Sequence, residues 1–141
     1  MTDPFVCVWD LHSMQELMQL PHEPAKPANP KEKPDPVGGI QAVCFSEDGS
    51  LIISCGLDTK STVFVWDWRQ KKLVARKATK GGVPPQVYGV KWNREERADG
   101  TKQFDFATFG NKHINFWLEE TDVSDTAFPR GWKFEPGSFM N

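Results

Sequence analysis

The chain has 141 residues, with 17 Lys and Arg against 19 Asp and Glu, a formal net charge of −2 and a pI of about 5.9. That balance lacks the strongly basic signature of a nucleic-acid domain, and neither a signal peptide nor an apolar run of transmembrane length is present, so a cytoplasmic chain without membrane contact is expected. Cys7, Cys44 and Cys55 are odd in number and without CxxC spacing, which points to reduced thiols buried in strands rather than to a disulfide frame or a metal site.

In chain order, Val6-Cys7-Val8-Trp9-Asp10 has the alternation of a short strand running into a turn, Leu11-His12-Ser13 makes that turn, and residues 14–20 follow as a second strand. Residues 21–37 carry Pro21, Pro24, Pro27, Pro30, Pro34 and Pro36 among Lys, Glu, Ala and Asp. Proline supplies no amide donor and fixes its own φ, so this insert is expected to stay out of any sheet. It is either an extended arm that makes contacts from one face or a solvated insert.

Residues 38–80 hold four strand patterns, with Ser46-Glu47-Asp48-Gly49 as the first turn and Gly56-Leu57-Asp58 before the third strand, Ser61 to Arg69. Val43, Phe45, Ile53 and Val65 are expected to alternate inward, and the glycine pairs 38/39 and 81/82 to ease the chain between repeats. Arg69, Lys71, Lys72, Arg76, Lys77 and Lys80 form a run with no acidic residue. On an outermost strand such cations discourage edge pairing; the rival reading is a basic stripe that attracts an acidic surface.

Residues 81–117 repeat the plan, with Pro84-Pro85 stiffening the entry and a mixed-charge insert at 94–103 expected to be a solvated loop. Residues 118–141 bring an acidic run, Glu119, Glu120, Asp122 and Asp125, and then Phe128, Trp132, Phe134 and Phe139. These aromatics need a surface to bury against, either the rest of the fold or a partner. Trp132-Lys133-Phe134 also has the alternation of a last strand folding back.

The same cadence ends at Trp9, Trp66 and Trp117, so the chain contains an internal repeat. A repeat cannot bury its own apolar face and needs a stacked neighbour. Four strands per repeat make a propeller blade of about 40–45 residues, and a closed ring takes at least about four blades. The expected fold is therefore all-β, a partial β-propeller of about two and a half blades: half a blade in 1–20, a complete blade in 38–80, and a blade through its third strand in 81–117, with 118–141 as a tail able to supply a closing strand. The remaining blades would come from the same or another chain.

Phe45-Ser46-Glu47-Asp48-Gly49, Gly56-Leu57-Asp58 and the Trp-Asp pairs at 9/10 and 66/67 resemble the WD-repeat family of β-propellers. Within it, Val65-Trp66-Asp67-Trp68-Arg69, Val90-Lys91-Trp92-Asn93 and the stretch from Gly110 to Trp117 look most like echinoderm microtubule-associated protein-like proteins and related ciliary WD-repeat proteins. The resemblance makes Trp9, Asp10, Asp58, Trp66, Asp67 and Trp117 the structural signature of the repeat. The family's buried network of a Gly-His histidine with the turn aspartate is not expected here, because Gly38-Gly39 and Gly81-Gly82 stand in place of Gly-His.

No nucleophile elbow, phosphate loop or metalloprotease motif is present, and His12, His22 and His113 are too scattered for a metal site, so no catalytic residue, metal or cofactor is expected. The resemblance implies a non-catalytic scaffold with protein partners, tubulin or other axonemal proteins among them, and a cytoskeletal location such as the cilium or axoneme. The basic stripe is the candidate contact. An adaptor for soluble signalling or ubiquitin-ligase complexes is the alternative.

Overall fold

The computed structural model describes residues 3–79, 86–123 and 127–138, and these contain strands and turns but no helix. Strands β1 (Phe5–Asp10) and β2 (Gln15–Pro21) form a two-stranded antiparallel sheet. Strands β3 (Ile40–Phe45), β4 (Leu51–Gly56), β5 (Val63–Asp67) and β6 (Lys72–Lys77) form a meander, and β7 (Val87–Trp92), β8 (Phe106–Gly110), β9 (His113–Glu119) and β10 (Trp132–Pro136) form a second. The tail thus provides the fourth strand of the last sheet, with Phe134 opposite Trp117.

Turn chemistry explains the repeat locally. Asp10 accepts a backbone hydrogen bond from His12 at 2.8 Å in the β1–β2 turn, and Asp67 accepts one from Gln70 at 3.4 Å in the β5–β6 turn. Each turn closes through a residue with positive φ, Met14 at 55° and Lys71 at 51°. Asp58 takes the backbone N–H of Thr62 at 2.8 Å and its hydroxyl at 2.5 Å, which shapes the β4–β5 turn. Carboxylates in these places satisfy turn amides that no strand can reach.

Each seam between sheets is a core. Along the last sheet, Trp92, Phe106, Trp117 and Phe134 stand directly opposite one another on successive strands. Phe106 stacks on Trp117 at 5.5 Å with planes 10° apart, and Trp117 meets Phe134 at 4.8 Å. This ladder packs on Leu51, Ile53, Cys55, Val63, Val65 and Ala75 of the preceding sheet. The other seam joins Ile52, Phe64 and Trp66 to Val8, Leu20 and Val37.

The inward alternation expected of Val43 and Phe45 is corrected. Cys44 pairs with Ile53 and Phe45 with Ile52, so Val43 and Phe45 point away from Ile53 and Val65 and are each 51% exposed. Ala42 and Cys44 take the expected place against the core. The pattern misleads because both faces of an inner propeller strand are apolar; on this face Phe45 meets only the edge of Trp68, at 6.3 Å, among the described residues.

The proline-rich insert does not project. Its ends are fastened by His22 N–H to the Pro4 carbonyl at 2.8 Å, Gly38 N–H to the Leu57 carbonyl at 2.8 Å and Leu57 N–H to the Gly39 carbonyl at 2.8 Å. Asp35 accepts both the N–H and the hydroxyl of Thr59, and Val37 is buried. The segment forms a strap across the β4–β5 turn, enclosing a cleft of about 470 Å³.

Candidate interaction surface

The three repeat tryptophans have unequal surroundings. Trp66 and Trp117 are 5% and 0% exposed, whereas Trp9 is 53% exposed. Trp66 and Trp117 each pack on the sheet before theirs in the chain.

Behind Trp66 lies a polar arrangement that the sequence did not disclose. Ser54 and Thr108 are equivalent, each two residues beyond the partner of a repeat tryptophan, Ile52 for Trp66 and Phe106 for Trp117. Thr108 Oγ1 accepts from Trp117 Nε1 at 3.0 Å. Ser54 Oγ instead meets Nε2 of His22 at 2.5 Å, and Nδ1 of that ring meets the Leu20 carbonyl at 2.9 Å. A carbonyl can only accept, so Nδ1 carries the proton and the Ser54 hydroxyl donates to Nε2. Burial pushes the imidazole pKa down, opposed by its bond to the Leu20 carbonyl, and the ring packs on Phe64 at 4.5 Å and Trp66 at 5.5 Å. The Trp66 indole N–H is left without an acceptor among the described residues.

His22 thus joins a buried network with Ser54 from the far side of the proline-rich insert. Asp58, the turn aspartate, serves Thr62 instead. A signal was available, because His22 is as far beyond Trp9 as Thr79 is beyond Trp66. Both backbone amides bind the chain ahead of the strand that pairs with the one they follow, His22 to Pro4 before β1 and Thr79 to Lys60 before β5. Thr79 turns its hydroxyl to the Lys60 carbonyl at 2.8 Å.

The basic stripe lies on β6 and the turn before it. Lys71, Lys72 and Lys77 are exposed, and none of the three has a carboxylate within ion-pair distance among the described residues. Arg69 lies over the Trp68 ring at 4.8 Å. Arg76 is half-buried with its guanidinium 5.2 Å from the Phe128 ring centre. Lys80 lies outside the described residues.

The tail aromatics find their surface within this chain. Trp132 is buried and Phe134 packs on the ladder. Arg130 donates its backbone N–H to the Val74 carbonyl on β6 at 3.1 Å, and its side chain forms a two-point pair with Glu119 at 2.6 and 2.8 Å, which raises the guanidinium pKa. Phe139 and Asp125 lie outside the described residues. The 94–103 insert is exposed for most of its length, but Lys102 ties it to Glu47 of the neighbouring sheet at 3.1 Å.

Meanders placed side by side, with Trp66 and Trp117 each packed on the sheet before, define a partial β-propeller. The β-propeller domain of Cps50 (Swd1) from Myceliophteria thermophila superposes on 94% of this chain and 32% of that one, with a TM-score of 0.51 at 15% identity. The chain is also 32% identical over 132 residues to centriole proteome protein 16 of Chlamydomonas reinhardtii, covering 92% of this chain and 6% of that protein. No family model matches the chain. No helix among the described residues is long and apolar enough to cross a membrane, and no group of three or more His, Cys, Asp or Glu is placed to hold a metal ion.

Proposed function

We propose that these blades are part of a non-catalytic scaffold for protein partners in the microtubule cytoskeleton, with the basic stripe on β6 as the contact. The observation that carries this is the row Lys71, Lys72 and Lys77, exposed on β6 and the turn before it and free of ion pairs among the described residues. Unpaired cations on one edge attract an acidic surface over about one Debye length, roughly 8–10 Å at physiological salt. The likeness to a centriole proteome protein supports a ciliary or centriolar setting, and the remaining blades would come from the rest of the polypeptide or a companion chain.

The test is co-pelleting with microtubules. Charge reversal at Lys71, Lys72 and Lys77 to Glu should reduce the bound fraction several-fold and leave the melting curve unchanged, and added salt should mimic it. Pelleting that ignores both would remove the stripe from the contact.

A further inference from the structure

The molecule has two seams at its outer rim, and its own tail fills only one. Between the second and third sheets, Glu120, Val123 and Phe128 of the connection from β9 to β10 line the seam with Trp117, Val65 and Ala75. There Glu120 lines the seam beside Arg76 and Lys77, Phe128 sits under the Arg76 guanidinium, and the Arg130 amide bonds Val74 of β6. The space left over is only about 70 Å³.

The seam between the first and second sheets has the same construction but, among the described residues, no such cover. The connection from β5 to β6 is the tight turn 68–71, too short to reach back. A groove of about 280 Å³ remains, lined by Pro21, Glu23, Trp66, Lys71, Leu73 and Arg76. Trp66 and Leu73 stand where Trp117 and Phe134 stand in the filled seam.

We propose that this open seam is a docking groove for an acidic peptide segment of a partner protein that carries an aromatic side chain. The filled seam shows what the construction accepts: Glu120, Val123 and Phe128 line it beside Arg76 and Lys77. Lys71 and Arg76 at the open groove match that charge, and Leu73 with Trp66 offers the aromatic an apolar bed. Glu23 is the one like charge at the rim. The proposal rests on the reading of the stripe as a protein contact and gives that contact its ligand chemistry.

The experiment titrates a fluorescent peptide of sequence 119–128 into the folded chain by anisotropy, with mass measured alongside. Replacing the peptide's phenylalanine by alanine should weaken binding at least about fivefold, the loss of a large buried ring. Leu73→Ala should weaken binding about threefold, and Glu23→Lys should tighten it about threefold by turning a repulsion into an attraction. The Glu23 variant cannot owe a gain to misfolding. No binding, or binding indifferent to both Glu23→Lys and Leu73→Ala, would overturn the groove. A concentration-dependent doubling of mass abolished by Phe128→Ala would give the groove to a second copy of the chain and overturn the partner peptide. Peptide binding with microtubule pelleting insensitive to the stripe keeps the groove and removes the microtubule reading; the converse removes the groove alone.

Discussion

The hydroxyl of Ser54 donates to Nε2 of His22 at 2.5 Å, across the seam between the first two sheets and 32 residues apart in sequence. It is the polar link in a seam otherwise held by Leu20, Ile52, Phe64 and Trp66. Ser54→Ala would leave the buried Nε2 without a donor, at a cost of about 1–3 kcal/mol. Urea unfolding at neutral pH measures it; a loss within error would show that the ring finds another donor.

The same histidine sets an acid limb. Burial lowers its folded pKa below the ordinary value of about 6.5, so above that value both states are neutral and its contribution is whole. As pH falls below about 6.5 the unfolded state takes up the proton first, and stability declines until the folded pKa is passed. His22→Gln should flatten this part of a stability-against-pH curve, whatever its effect at pH 8. An unchanged slope would assign the limb to other groups.

Trp117 and Trp9 should respond in opposite ways to truncation. Trp117 is fully buried and carries the aromatic ladder, so Trp117→Ala should cost about 3–5 kcal/mol. Trp9 is half exposed, and Trp9→Ala should cost well under about 1 kcal/mol in the same chain. Thermal melts of both variants decide. An equal loss would mean that another surface covers Trp9 in solution.

Gly110 is held by close approach rather than by φ. A Cβ there would lie 1.9 Å from the Gln86 carbonyl oxygen, a backbone atom that cannot rotate away, whereas at Gly39 the nearest atom would be 3.7 Å off on the Leu57 side chain. Gly110→Ala should therefore destabilise by about 1–3 kcal/mol or more, and Gly39→Ala by under about 0.5 kcal/mol. Denaturant midpoints measured side by side test the difference.

The strap should loosen when its clamp is cut. Asp35→Ala removes both bonds to Thr59. Lys26 and Lys33 each precede a proline, which leaves Lys31 as the trypsin site within the strap. Cleavage after Lys31 should quicken several-fold while the melt stays put. An unchanged rate would mean that Val37 and the Gly38 and Gly39 backbone bonds hold the strap alone.

The repeat, the strands and the turns were legible in the amino-acid order, because strand alternation and turn chemistry are local. Trp66-Asp67 announces a strand end and a capped turn wherever the sheet lies. The stripe on β6 could be named as a run of cations for the same reason. Which face each strand presents was not local. Val43 and Phe45 look like core until the register with β4 turns them to the half-exposed face, and Trp9 shares its motif with Trp66 but not its burial.

The sequence by itself determined an all-β repeat, a number of strands, and turns fixed by Asp10, Asp58 and Asp67. Only the tertiary structure decided that His22 reaches Ser54 across the proline-rich strap, that Phe128 is this chain's own plug under Arg76, and that one seam is filled while its equivalent stays open. The physical reason is distance along the chain. Strand period and turn preference act over a few residues, but a seam is made by sheets tens of residues apart, and the side chain that fills it is set by loop length and register.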